Sequence, residues 1–428
     1  MKTYDKNKEL IIKILLSALI GTVVGVLIFA FKCGAEFLYN SSDRIFSFTE
    51  KNFECLPIVI LGVIFLSYLS YILLKREPYA RGGGIPVAEG LVRNNITFSP
   101  FKVGSKAFLS SYVSYFGGLP LGSEGPAVLL GSCVGSGFNK IIKNKTDNAL
   151  VKAGSACAFS AVTGAPIAGV FFIEEEMHDG GSFKKLVCVI TAIAFSCLTS
   201  VLLCLVFDKT FAMFGYDFVE VIPIKYYYLA VICGLIAGVL SYLFTKLFTF
   251  CNGFSIKKLK KVPLFIKLLI CFLVCAVLSV FVHGARGNGH HLIESIELRE
   301  LNYKILITVL FAKLLMLCFV GGSGASGGIF IPLLALGSLL GGLLGECCIA
   351  FGVSETVYAG LIGAVTVAFL AGAQHSPLTA LFFSIEAMGG LKNAPFTMIT
   401  ILIAFLVVKL FKNKPIYDLL FENLTYKK

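Results

Sequence analysis

Apolar residues occupy this chain in long blocks with few polar interruptions. The blocks fall at 10–31, 57–74, 105–121, 126–142, 148–163, 165–177, 184–207, 225–252, 263–283, 304–320, 328–350, 356–373, 376–388 and 396–411. About twenty apolar residues cross ~30 Å of hydrocarbon as one helix. Several blocks are too short for that, and Gly/Pro breaks stand between them: GGGIP at 82–86, GSEGP at 122–126, GAP at 164–166, GGIFIP at 327–332 and HSP at 375–377. Broken backbone at membrane depth is tolerated only where it lines a cavity or is covered by protein, so repeated half-length helices point to a transport site. The pattern predicts an all-α polytopic membrane protein. The block Leu10–Phe31 lacks the short apolar core and small-residue cleavage site of a signal peptide and reads as a retained span.

The pattern also repeats. APIAGVFFIEEEM at 165–177 aligns without gaps on SPLTALFFSIEAM at 376–388, an offset of 211, and EGPAVLLGS at 124–132 aligns on FIPLLALGS at 330–338, an offset of 206. The expectation is one integral domain over 1–428 built of two repeats, approximately 30–210 and 225–420. If each half crosses an odd number of times, the repeats are inverted and a site lies between them at mid-membrane.

Composition agrees: 57% of the 428 residues are hydrophobic and 14% charged, with a mean hydropathy of +0.86, unlike any soluble domain of this size. The net charge of +12 would suggest nucleic acid in a soluble chain. Here the lysines cluster in tails and loops, at Lys2, Lys6 and Lys8, at Lys257, Lys258, Lys260 and Lys261, and at Lys412, Lys414, Lys427 and Lys428. The positive-inside rule puts those segments, and both termini, in the cytoplasm. No nucleic-acid partner is expected. Fourteen cysteines are scattered through apolar runs with no CxxC and read as small core residues.

Chemistry concentrates around Leu121–Gly137. Glu124 is a lone carboxylate among glycine, proline and apolar residues, at the start of a helix whose free N–H groups and positive dipole end suit an anion. An ionisable residue at membrane depth is costly and usually functional; the plainer reading is a helix N-cap. Pro86, Pro126, Pro332 and Pro415 each open a helix beside glycine or a cation. Converging, their N-termini would form a cage of backbone N–H groups suited to an anion that must bind and leave. Glu174, Glu175 and Glu176 end an apolar helix where they oppose its dipole. At least one should reach water, and one is a candidate proton relay. Glu386 is the repeat mate of Glu175, so those two read as structural. Tyr417 is either an interface anchor or a hydroxyl donor to a dehydrated anion. G-A-S-G-G at 324–328 with His375 also admits a Ser326–His375 protease dyad, though short glycine-rich matches arise easily. There is no H-E-x-x-H and no Walker A sequence, and His178, His283, His290 and His291 show no metal-ligand spacing. Neither an enzyme activity nor a metal or cofactor is expected.

Taken together, GGGIP (Gly82–Pro86), GSEGP (Gly122–Pro126), GIFIP (Gly328–Pro332) and KPIY (Lys414–Tyr417) resemble, in order and over nearly the whole chain, the four ion-site segments of the CLC family of chloride channels and chloride/proton antiporters. The resemblance implies tilted and broken helices in two inverted-topology repeats, a homodimer and one anion pathway per subunit. It assigns Glu124 as the gating glutamate, whose carboxylate competes with the anion. Gly83, Gly84, Ile85, Gly125, Ile329 and Phe330 become backbone elements of the anion site, and Tyr417 the hydroxyl donor. It assigns Glu176 as the internal proton-transfer glutamate and Glu175 as its structural neighbour. Passive channels of the family usually lack that internal glutamate, so Glu176 favours antiport.

Three features depart from the family pattern. The usual GSGIP serine is Gly83, which removes a donor to the anion. The usual basic residue before the gate is Ser123, which leaves the field on Glu124 less positive. The sequence ends eleven residues after Tyr417, so a cytoplasmic CBS pair and nucleotide regulation are not expected. The reading is a proton-coupled chloride antiporter in a lipid bilayer, in a bacterial inner membrane with cytoplasmic termini. Its rivals are a passive chloride channel of the same fold, a fluoride/proton antiporter and the intramembrane serine protease. Tolerance of Ser326→Ala separates the last from the others.

Overall fold

The computed structural model describes residues 2–141, 148–177, 182–214 and 220–425. Among them are seventeen α-helices. The first half holds α1 (Lys2–Lys51), α2 (Leu56–Leu74), α3 (Ile85–Val92), α4 (Pro100–Phe116), α5 (Glu124–Ile141), α6 (Ala149–Thr163), α7 (Pro166–Glu176) and α8 (Phe183–Val206). The second holds α9 (Tyr228–Lys257), α10 (Leu264–Phe281), α11 (His290–Glu297), α12 (Tyr303–Ser323), α13 (Phe330–Ala350), α14 (Tyr358–Gln374), α15 (Pro377–Ala387), α16 (Ala394–Leu410) and α17 (Ile416–Thr425). Nine helical spans among the described residues are long and apolar enough to cross a membrane. Between them sit α3, α6, α7, α11, α15 and α17, each of 8 to 15 residues. Of these, α3, α6, α7 and α15 are half-length helices that the Gly/Pro breaks at 82–86, 164–166 and 375–377 foretell.

Burial sorts the spans. The most apolar window of α14 is 83% buried and that of α2 only 17%, so α14 runs through the centre and α2 along the lipid edge. The first apolar block proves longer than its 10–31 pattern: α1 continues to Lys51, since no proline interrupts 32–51 and only proline breaks a helix interior outright. Amphipathic α11 is missing from the apolar blocks altogether. Its eight residues bury only Leu292, Ile293 and Ile296. The fourteen cysteines are all free, seven of them buried.

Positions that the sequence aligns across the two halves meet in space. Phe171 stacks on its mate Phe382, with ring centroids 4.8 Å apart and planes 9° from parallel. Glu175, at the end of α7, accepts from the N–H groups of Leu378 (2.9 Å) and Thr379 (2.8 Å) and from the Thr379 hydroxyl (2.7 Å), all in the first turn of α15. Glu386, at the end of α15, accepts from Ile167 and Ala168 N–H, both at 2.9 Å, in the first turn of α7. Each helix therefore carries at its C-terminal end the carboxylate that caps the other. The unfavourable placement against its own dipole becomes favourable against its neighbour's. Charge-assisted caps of this kind contribute about 1.5–3 kcal/mol each. Glu175→Ala and Glu386→Ala should each lower thermal stability by an amount of that order, with the α7–α15 contact as the shared cause. Unchanged melting of either variant would show that the caps carry no net stability.

Candidate functional site

Three breaks converge on one node. Gly122 N–H donates to Gly328 C=O and Gly328 N–H to Gly122 C=O, both at 2.7 Å. These two glycines are themselves repeat mates. Beside them Gly82 N–H donates to Ala325 C=O and Gly327 N–H to Gly82 C=O, both at 3.2 Å. The contact is backbone on backbone. A Cβ on Gly125 would lie 1.8 Å from the Gly83 carbonyl oxygen, and one on Gly84, which has φ +79°, 2.4 Å from the Gly125 carbonyl oxygen. Only glycine fits either position. The first turns of α3, α5 and α13 are thereby brought together, each with its proline in that turn where no N–H partner is needed.

Glu124 is the first residue of α5 and fully buried. The Ser123 hydroxyl donates to its Oε1 at 3.0 Å. Its own N–H and that of Ile331 stand within reach of the carboxylate. The plainer sequence reading, a helix cap, thus describes part of what this side chain does. Around it stand Tyr39, whose hydroxyl donates to Leu121 C=O at 2.7 Å, and Tyr115, whose hydroxyl donates to Gly122 C=O at 3.0 Å. Phe330 opens α13, fully buried, and packs edge-on against Phe159 and Phe383 at 5.4 and 5.2 Å. Ile329 is the residue before it.

Tyr417, in the first turn of α17, is 1% exposed and lies within electrostatic reach of both Glu124 and Glu176. Its oxygen accepts from Gln374 Nε2 at 3.1 Å. The other end of that amide, Oε1, accepts from the Ser376 hydroxyl at 3.2 Å. Ser376 in turn bonds Glu176. The polar run Glu176–Ser376–Gln374–Tyr417 is absent from the sequence reading. Its residues lie far apart in the chain, and the signal was the presence of Gln and Ser around an apolar helix end. The three glutamates of α7 divide as the sequence suggests: Glu174 is exposed, Glu175 caps α15 and Glu176 is buried, near Glu89, Glu175 and Asp418. Arg93 pairs with Glu89 at 2.7 Å and Asp418 at 3.2 Å. The Ser326 hydroxyl pairs with Ser111 Oγ at 3.0 Å, and the His375 ring lies edge-on to Phe405. His178, Lys427 and Lys428 lie outside the described residues, as do the side chains of Lys2, Lys6 and Lys8.

Two cavities lie near the node, and one of them reaches it. One of about 690 Å³ is lined by Gly82, Gly83, Gly84 and Ile329 and also by Arg81, Lys260, Lys261 and Lys267. The basic loop midway along the chain thus lines the cavity that the node glycines line, and its charge there favours anions. The other, of about 550 Å³, ends on Tyr39 and is lined by Arg286, Asn288 and His290. Lys414, ahead of Tyr417, bonds Glu422 at 2.5 Å, and that bond raises its pKa, so it stays charged.

Residues 61–409 match the family model described as voltage gated chloride channel. The chain belongs to this family, the CLC proteins. It is therefore a multi-pass integral membrane protein. Solved structures of the same fold include a slow cyanobacterial Cl⁻/H⁺ antiporter (22% identity, TM-score 0.88, covering 97% of this chain and 98% of that one). A eukaryotic CLC transporter matches at 19% identity and TM-score 0.81, over 96% and 74%. A CLC-type fluoride/proton antiporter matches at 22% identity and TM-score 0.78, over 96% and 98%. At these identities the likeness is one of fold.

Set against the CLC pattern, the departures acquire a geometry. A Cβ on Gly83 would have nothing closer than 3.9 Å, so the absence of serine there is not steric. Ser123 is no cation, but Lys32 of α1 interacts electrostatically with Glu124 and bonds the Phe211 carbonyl at 3.4 Å. Its signal in the sequence was a single lysine at the end of an apolar block. Gly83→Ser should fold normally and add a hydroxyl at the cavity floor, tightening anion binding roughly five-fold for one added hydrogen bond. Gly125→Ala should not assemble. Anion titration by calorimetry and yield of the folded protein check the pair, and equal affinity for Gly83→Ser and the parent would place residue 83 off the anion path.

Proposed function

We propose that this CLC protein exchanges chloride for protons, with Glu124 and the anion competing for the positive end of the helix cage. The observation that carries the reading is the enclosure of two carboxylates, Glu124 and Glu176, both within electrostatic reach of Tyr417. A lone buried glutamate serves gating; a second one, in reach of the same phenol, provides a place to hold a proton on its way. Deprotonated Glu124 occupies the field of the first turns of α5 and α13. A proton delivered from Glu176 neutralises it and frees the field for an anion held by backbone N–H at Phe330 and Ile329 and by the Tyr417 hydroxyl. Lys32 supplies the positive charge that Ser123 lacks.

The hydrogen-bond polarity between Glu176 and Tyr417 supports coupling. Ser376 has one O–H, which it can give either to Gln374 Oε1, 3.2 Å away, or to the Glu176 carboxylate. Gln374 donates to the Tyr417 oxygen, which leaves the phenol O–H for the anion. When the proton leaves Glu176, the carboxylate takes the Ser376 O–H and the amide loses that anchor, so the protonation of Glu176 and the setting of the Tyr417 hydroxyl are linked. The connection is made through His375, a non-glycine residue at φ +63°, a left-handed conformation that costs about 1–2 kcal/mol. Its repeat mate is Gly164, at φ +70°, between Thr163 and Ala165. Only the half that faces Glu176 carries the Gln–Ser pair.

Family resemblance further supports a homodimer in which each chain holds its own pathway, and the basic tails support a bacterial inner membrane with cytoplasmic termini. The chain acts as a transporter and not as an enzyme in this reading. Gly83 is the one feature that also suits a fluoride/proton antiporter.

Paired chloride and proton flux from liposomes tests the scheme. Uphill proton movement driven by chloride is expected, lost in Glu124→Gln and in Glu176→Gln while anion flux continues. Proton flux that persists in Glu124→Gln would sink it, chloride flux with no proton movement in the parent would make this a channel, and fluoride flux without chloride flux would move the reading to the fluoride class. Gln374→Leu should weaken anion binding about five-fold, the worth of one neutral hydrogen bond, and raise the number of anions moved per proton. Combined with Tyr417→Phe, its effect should not add. Full additivity would separate Gln374 from the phenol.

A further inference from the structure

We propose that His290, His291 and Glu294 form a binding site for a divalent transition-metal ion of the zinc type, at the rim of the cavity that ends on Tyr39. Sequence spacing did not suggest it, because the helix that arranges these residues is too short and too polar to register in the apolar pattern. Once α11 forms, positions 290 and 294 and positions 291 and 294 share a face. The ligand atoms of the three residues lie within 4.8 Å of one another. His290 Nδ1 is 3.5 Å from one carboxylate oxygen of Glu294, and His291 Nδ1 is 3.4 Å from the other. Ligands about 2.1 Å from a tetrahedral ion stand about 3.4 Å apart; each histidine already stands at that distance from one of the two Glu294 oxygens, and a small turn of the carboxylate brings one oxygen within reach of both. His291 is exposed and free to close the remaining His–His distance.

The best-ordered ligand is also held as metal-binding histidines are. His290 Nε2 lies 2.8 Å from the Met213 carbonyl oxygen. A carbonyl only accepts, so Nε2 carries the proton and Nδ1 keeps its lone pair toward Glu294. The ring stacks on Phe214 at 4.6 Å, and the His290 N–H donates to Asn288 Oδ1 at 3.1 Å. Two imidazoles with one carboxylate suit zinc or cobalt; magnesium and calcium favour all-oxygen sets. Three protein ligands leave a fourth position for water or an anion. The ion would fix the His290 ring, which already meets the 211–214 segment at the Met213 carbonyl. The inference stands apart from the transport reading, because binding is read on the purified chain.

The test is titration of the full-length, metal-stripped protein in detergent with Co²⁺, followed by displacement with Zn²⁺. One Co²⁺ per chain is expected, with the intense visible bands of a four-coordinate ion, and Zn²⁺ should raise the melting temperature. Losing an outer partner of a metal site costs 10–100-fold in affinity, so losing a ligand should cost roughly 100-fold or more; His291→Ala and Glu294→Gln should each do so while melting like the parent without metal. Pale six-coordinate spectra, or the same isotherm for the parent and both variants, would overturn the site and leave a His–Glu ion pair in its place.

Discussion

Everything in this structure that is suited to an anion depends on bringing backbone N–H groups from distant parts of the chain together with no side chain between them. The reciprocal 2.7 Å bonds of Gly122 and Gly328 do this. So does the contact in which a Cβ on Gly125 would come within 1.8 Å of the Gly83 oxygen. At membrane depth an unpaired backbone group costs several kcal/mol. Breaking helices there is tolerable only because the broken ends bond to one another. The same pairing aims the free first-turn N–H groups of α5 and α13 at a common space, where their partial charges add.

Burial divides the carboxylates by what they touch. Glu175 and Glu386 are spent on each other's helices: two or three donors fix each of them, and neither has freedom to swing. Glu124 and Glu176 are more deeply enclosed, yet their side-chain partners are hydroxyls, Ser123 and Ser376. A hydroxyl reorients at little cost and serves as donor to a carboxylate or acceptor from a carboxyl. That difference separates groups that hold the fold from groups able to change protonation within it.

The two halves are alike in scaffold and unlike in chemistry. Stacked Phe171 and Phe382, the crossed caps and the paired glycines are features a repeat can share. The junction at 374–376 is not shared: Gln374, His375 and Ser376 stand where the first half has Thr163, Gly164 and Ala165. The second half accepts a strained left-handed histidine at this junction, and the amide and hydroxyl on either side of it reach Tyr417 and Glu176. Glu176 itself comes from the first half. The asymmetry around Tyr417 therefore arises where the repeat is broken.

The sequence alone was enough to establish membrane helices, the broken half-length ones, the pairing of the halves, and Glu124 at a helix start. Each of these is written in local order: apolar blocks, proline at a first turn, glycine before it. The crowding that makes Gly84 and Gly125 irreplaceable was not local, nor was the room left at Gly83. Neither were the approach of Lys32 to Glu124, the run from Glu176 through Ser376 and Gln374 to Tyr417, or the closing of α11 around two histidines and a glutamate. These are contacts between residues far apart in the chain or orientations imposed by packing, and the alternation of apolar and polar positions carries no distance between elements. Sequence determined which backbone would be broken and singled out Glu124 and Glu176; tertiary packing decided which other charges are buried and which of them share a space.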